Sequence, residues 1–343
     1  KNTKSPHKAV RFWKILPPID AWLALQKRTL HHKAPMKMKA ELTNSRFGLL
    51  LALFGALMIT PDTLFMRLSE MQAWVMMSWR GLEMGILLLS IWAAHSLLAK
   101  NAHKTKAEIS ALFSRSGIGA VLCTLAGGTS FTYGIAESSV AIVLITIACA
   151  PIFAALFSLT FLSEAISRAS WIAIIFCFIG IIIAVSDGDN VIAAPAGSTL
   201  IGAICGLTAA ASLGLSFVLL RGNEAIPLLG MNGLGSLFAG CVGLFMTLTT
   251  PDGPSLLDGN ILMISISGLI ILPISFVALT SATRHTNAAN VSLFMFLETI
   301  LGSFWVWLGV GERPGLWMIM GGTIVLGSLS VYILSSMRDT RSS

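Results

Sequence analysis

Apolar residues fall along this chain in ten long blocks broken by mostly short polar stretches, at roughly 47–66, 74–98, 117–136, 139–161, 169–186, 199–220, 229–250, 261–282, 288–310 and 315–335. Each block is close to the ~20 apolar residues that a helix needs to cross a bilayer. The pattern predicts an all-α integral membrane protein of ten transmembrane helices. Residues 1–46 precede the first block, and residues 336–343 follow the last as a short tail.

Composition agrees with the pattern. Of 343 residues, 55% are hydrophobic and 11% charged, against about a quarter charged in an ordinary soluble domain. The net charge of +7 would point to nucleic acid in a soluble protein. Here the basic residues instead separate by connection. One side receives eleven Lys and Arg from residues 1–46, then Lys100, Lys104, Lys106, Arg115, Arg168, Arg221, Arg284, Arg338 and Arg341; the other receives only Arg67 and Arg313. By the positive-inside tendency both termini are expected in the cytoplasm, which an even number of spans permits. The lipid bilayer is therefore the expected partner, and nucleic acid is not.

Residues 1–46 carry no apolar run long enough for a cleavable signal, and read as a basic cytoplasmic segment touching anionic lipid. Met36 and Met38 stand just before the first block, so residues 1–35 read equally well as an upstream extension. Cys123, Cys149, Cys177, Cys205 and Cys241 all lie inside blocks without CxxC spacing. They are expected to be core residues, with no disulfide, metal or cofactor implied.

The two halves of the chain repeat one another. A shift of 154 residues sets Gly48 on Gly202, Ala52 on Gly206, Arg67 on Arg221 and Glu70 on Glu224. A shift of 148 sets Ser139 on Asn287, Ala154 on Gly302, Phe157 on Trp305 and Glu164 on Glu312. Residues 47–186 and 199–335 are thus expected to be one five-helix unit used twice. Because five is odd, the second copy enters from the opposite face. Such inverted repeats serve alternating access, with a binding site near the midplane between the halves.

"SFTYGIAESSVAIVLITIACAPIFAALFSLTFLSEAIS" carries an aromatic-rich helix, a small-residue turn, Pro151 mid-helix and Glu164 thirteen residues later. "NAANVSLFMFLETILGSFWVWLGVGERP" is similar in the second half, with Glu298-Thr299 where many relatives have Glu-Pro. These segments resemble the EamA-type transporters of the drug/metabolite transporter superfamily. The resemblance covers about residues 47–335. It implies a secondary carrier of the bacterial inner membrane that exports a small, amino-acid-like or other organic solute, without an ATPase subunit.

Ionisable groups inside spans cost roughly 2.5–3.5 kcal/mol on insertion scales and usually face the bundle interior or a water-filled cavity. Glu298 lies about ten residues from either end of its block, near the midplane, where it can couple a solute to protons or simply join two helices. Arg80 and Glu83, at i and i+3, share a helix face, and Asp62 reaches a similar depth from the first span. A buried Asp62–Arg80–Glu83 network is expected, either reading an anionic or zwitterionic solute through Arg80 or satisfying itself. Tyr133, Asn287, Asn290 and Pro151 are secondary candidates for a cavity lining. Glu164 and Glu312, at helix ends, are expected at an interface or gate. Pro61, Pro151 and Pro273 are expected to kink their spans, and Gly81/Gly85 and Gly202/Gly206 to bring helices close.

No phosphate loop, HExxH or GxSxG element is present, so an enzyme is not expected. The alternative to a transporter is a non-transporting membrane protein, either a sensor subunit or an intramembrane enzyme built on Glu298, Asp62 and His285.

Overall fold

Three of the prolines mark interruptions in helices. A computed structural model describes residues 34–98, 102–162, 168–186, 199–221, 223, 225–250, 253–285 and 288–342. The first span is a helix, α1 (Ala34–Ile59), that ends at Thr60–Pro61 and restarts as α2 (Asp62–Leu68). Proline has no N–H to donate and its ring crowds the preceding turn. The Pro61 carbonyl instead takes the amides of Leu64 and Phe65, at 3.0 and 3.2 Å, and opens the new helix.

The rest of the first half comprises α3 (Ala73–Leu98), α4 (Ala102–Leu112), α5 (Arg115–Glu137), α6 (Val140–Ile147), α7 (Ala150–Leu162) and α8 (Arg168–Val185). The second half comprises α9 (Thr199–Arg221), α10 (Leu228–Thr249), α11 (Ile261–Ile266), α12 (Leu272–Ala282), α13 (Ala288–Val310) and α14 (Leu316–Ser342). A π-helical turn, Ser267–Ile271, joins α11 to α12 just before Pro273. There is no strand among the described residues.

The repeat explains one difference between the halves. Pro151 and Thr299 occupy matching positions. The first-half span breaks at Ala148–Cys149 into α6 and α7, whereas α13 runs unbroken through Thr299, which keeps the amide that Pro151 lacks.

Among the described residues, seven helical stretches are long and apolar enough to cross a membrane: Phe47–Leu68, Ala73–Leu98, Arg115–Glu137, Val140–Phe161, Thr199–Leu220, Leu228–Thr249 and Ile261–Ala282. Trp171–Val185, Phe294–Val310 and Leu316–Ser328 are shorter apolar stretches within α8, α13 and α14. One connection departs from expectation: the basic stretch after α3 is not a plain loop but contains the helix α4. Ala111 and Leu112 of α4 are buried in a small cluster with Ala120, Val121 and Met231, so a one-sided apolar face makes this segment fold against the bundle.

Residues 1–46 and 47–343 group as two units; of the first, residues 34–46 are helical. Within 47–343, helices of the two halves pair with one another: α3 with α10, α8 with α14, α5 and α6 with α9, and α2 with α13. The α3/α10 crossing depends on glycine. A Cβ on Gly85 would sit 2.6 Å from the Leu237 backbone and one on Gly243 2.7 Å from the Ser78 amide, while Gly81 and Gly240 face each other at the centre. At the α8/α14 crossing, Gly180 and Gly321 play the same part. Gly202 and Gly206 meet Ser138 and Thr146 of the first half. The most enclosed element is α6, where every residue from Val140 to Thr146 is buried. A helix apolar on all sides fits such a central position.

Candidate functional site

The break at Pro61 makes Asp62 the first residue of α2, and burial leaves its carboxylate no solvent. Its two oxygens are met by protein. Oδ2 pairs with Nη2 of Arg80, and Oδ1 accepts from Ser267 Oγ at 2.5 Å. The other guanidinium nitrogens are also engaged: Nε donates to Ser267 Oγ at 3.1 Å and Nη1 to Thr132 Oγ1 at 3.0 Å. The Phe131 ring lies 5.5 Å from Cζ of Arg80. Four elements, α2, α3, α5 and the π-turn, thus converge on one ion pair. Charge pairing with further hydrogen bonds is what makes a buried guanidinium tolerable.

Glu83 does not join this network, contrary to the expectation from its i, i+3 spacing. Its Oε1 accepts from Ser265 Oγ at 2.5 Å, and its Oε2 is buried without a hydrogen-bond partner. Sharing a helix face sets the direction of a side chain only coarsely. The π-turn presses Gly268 between Arg80 and Glu83, so the two charges find partners at different points along it.

Beside the network lies a cavity with about 1090 Å³ of atom-free space, solvent included. Both halves line it. Arg80, Ile59 and Ile147 are among the lining residues, with Met84, Phe131, Leu213, Phe217, Phe276 and Met295 as apolar walls. Ser212, Ser216, Asn232, Ser236 and Thr280 supply neutral polar groups, and Asn232 Nδ2 donates to Thr280 Oγ1 at 3.4 Å. Glu298, midway along α13, lines the cavity as well and is 3% exposed. The lining comes from α3 and α5 of the first half and from α9, α10, α12 and α13 of the second, with Ile59 and Ile147 beside them.

A second buried ion pair lies outside the cavity lining. Arg67 Nε meets Glu312 Oε2 at 2.9 Å. Its Nη1 and Nη2 donate to the carbonyls of Ile135 and Ser138, each at 2.5 Å, and Glu312 Oε1 accepts from the Val140 amide at 2.6 Å. This clasp joins α2, the end of α5, the start of α6 and the segment after α13.

Of the residues singled out from sequence, Arg80 and Glu298 line the cavity, Asp62 supports Arg80 from behind, and Glu312 sits in the clasp. Tyr133 and Pro151 do not line it: the Tyr133 ring packs on Trp74 with centroids 5.2 Å apart, and Pro151 is buried near the α6/α7 break. Glu164, Asn287 and the side chain of Asn290 lie outside the described residues. His285 stacks edge-on against Phe47 and its Nδ1 lies 2.9 Å from the Ser281 carbonyl, away from the cavity. Sequence reasoning missed Thr132, Ser267, Ser212, Ser216, Ser236, Asn232 and Thr280. Only Asn232 carried a usable signal, an amide inside an apolar span; serine and threonine commonly satisfy themselves on the preceding turn. The described residues contain no group of three His, Cys, Asp or Glu able to hold a metal ion.

Among solved structures, one titled only as the crystal structure of a protein superposes with a TM-score of 0.59 at 13% identity, covering 85% of this chain and 97% of that one. At that identity the likeness concerns the fold alone. No curated protein matches the sequence. The EamA-like transporter family matches twice, over residues 46–186 and again over residues 200–334. Two successive matches to one family account for the cross-paired halves and for a cavity lined by both, and this chain belongs to the EamA-like transporter family, membrane transporters of the drug/metabolite type.

Proposed function

We propose that the protein is a secondary carrier of ten transmembrane helices in two inverted five-helix units, which moves a small organic solute by alternating access. The observation that carries this reading is the cavity. It is lined by both halves and includes Glu298, midway along α13, and Arg80 of the buried network, while the Arg67–Glu312 clasp lies outside its lining. The pairing of α3 with α10, and of α8 with α14, brings together helices at matching places in the two repeats, which supports units related by an axis in the membrane plane.

With the positive-inside assignment, the Arg67–Glu312 clasp lies on the external side, and we read this state as sealed outside and open toward the cytoplasm. Loading from the cytoplasm and release outside make the protein an exporter, and its place is the bacterial inner membrane. Glu298 is the residue to couple solute movement to protons, since a carboxyl at mid-span can be neutralised by either. An intramembrane enzyme would need Glu298, Asp62 and His285 together, and His285 faces Phe47 instead.

Proteoliposome flux tests the reading. A pH gradient is expected to drive uptake or release of a panel of small organic solutes by the native protein. Glu298→Gln is expected to abolish the gradient-driven component while keeping the native elution profile; undiminished coupling would remove Glu298 from the mechanism.

A further inference from the structure

Among the described residues, Arg80 and Glu298 are the only two charged ones that line the cavity, and they are not equivalent. The Arg80 charge is neutralised by Asp62. Its Nε, Nη1 and Nη2 already donate to Ser267, Thr132 and Asp62, and the Phe131 ring lies by its guanidinium. Two of the five guanidinium N–H groups are left for a solute, but an anion that took the guanidinium for itself would draw it from Asp62, whose carboxylate is fully buried. That would strand a charge without solvent or partner, the costly half of breaking any buried pair. Ser267 would be stranded with it, since its hydroxyl bridges both ions.

Glu298 has no basic side chain paired to it among the described residues. The neighbouring Thr299 turns its hydroxyl away, to the Leu144 carbonyl at 3.2 Å, and leaves Glu298 to face the cavity. The remaining polar lining, Ser212, Ser216, Asn232, Ser236 and Thr280, is neutral. Ionised Glu298 thus gives the site one uncompensated negative charge set in apolar and aromatic walls.

We infer that the cavity takes monocationic solutes, an ammonium group on an apolar or aromatic body, with the ammonium on Glu298 and the body against Phe131, Phe217, Phe276 and Met295. This replaces Arg80 with Glu298 as the group that selects the solute, and makes Arg80 a positioning residue held in the cavity lining by Asp62, Ser267 and Thr132. The inference rests on the carrier reading for its biological meaning but not for its test, because binding requires no flux.

The test is calorimetric titration of the full chain in detergent with three probes of similar shape, 2-phenylethylammonium, 3-phenylpropanamide and 3-phenylpropanoate. The cation is expected to bind at least about tenfold more tightly than either other probe, the size of a charge-assisted hydrogen bond. Glu298→Gln is expected to erase that preference, and Glu298→Asp to retain part of it. Tighter binding of 3-phenylpropanoate, equal binding of all three, or a Glu298→Gln variant that keeps the cation preference would overturn the inference. The probe ranking on the native protein needs no variant, so a misfolded Glu298→Gln leaves the test intact. Cation binding without flux in proteoliposomes upholds the site and defeats the carrier reading; flux of other solutes with no cation preference does the reverse.

Discussion

Asp62 and Arg80 stand at opposite ends of the two ways a charge can survive in a membrane interior: one is wholly enclosed, the other borders a cavity. Their pairing is held by Ser267, which bonds both ions, and by Thr132 on the guanidinium. Removing one partner is expected to strand the other. Asp62→Asn should lower stability by about 3–5 kcal/mol, the usual cost of breaking a buried pair, read as a fall in the thermal unfolding midpoint in detergent. The double variant Asp62→Asn/Arg80→Met, with no charge to strand, is expected to recover much of the loss; a double variant worse than the single one would contradict the pairing. In-span charges were legible in the sequence because each is rare in apolar surroundings. The hydroxyls that complete their coordination were not, since Ser and Thr are unremarkable in a span until helix rotation aims them.

At the scale of elements, glycine governs how closely the halves approach. A side chain on Gly240 would strike the backbone of Gly81 and Leu82, whereas one on Gly327 would meet nothing within 4 Å. Gly240→Leu is therefore expected to destabilise the protein by about 1–3 kcal/mol or more through overpacking. Gly327→Ala is expected to be neutral or stabilising by up to ~1 kcal/mol through helix propensity. Thermal unfolding of the two purified variants side by side checks both; equal effects would mean that the α3/α10 contact does not limit packing. The GxxxG spacing of Gly81 and Gly85 marked a close crossing in advance, but the partner helix was invisible, because spacing defines a face and not what covers it. Likewise Pro151 announced a break, and the unbroken α13 follows from Thr299 in the matching place. The helix α4 was hidden because its short apolar side lies within a basic stretch.

For the whole molecule, the clasp and the cavity make a pair of expectations about access. Cys123 lines the cavity, while Cys149 and Cys177 are buried in the core and Cys241 is exposed on the outside of the bundle. In oriented vesicles, a membrane-impermeant maleimide applied from the cytoplasmic side is expected to label Cys123 ahead of Cys149 and Cys177. Labelling of Cys123 chiefly from the external side would reverse the assigned orientation of the cavity. Arg67→Ala removes the clasp's cation and its bonds to Ile135 and Ser138. It is expected to raise external labelling of Cys123 severalfold by releasing the sealed side; unchanged labelling would leave the clasp a purely structural tie.

The sequence by itself determined the medium, the helical class, the doubled architecture and which few charges needed explaining. Those properties follow from composition, block length and repetition, which are written along one dimension. Only the tertiary structure decided that Arg80 is satisfied by Asp62, Ser267 and Thr132, that Glu83 turns to Ser265, and that Glu298 faces a space shared by both halves. The physical reason is that an ion in a low-dielectric interior is defined by its partners a few ångströms away. Those partners are brought by the rotation and crossing of helices far apart in the chain.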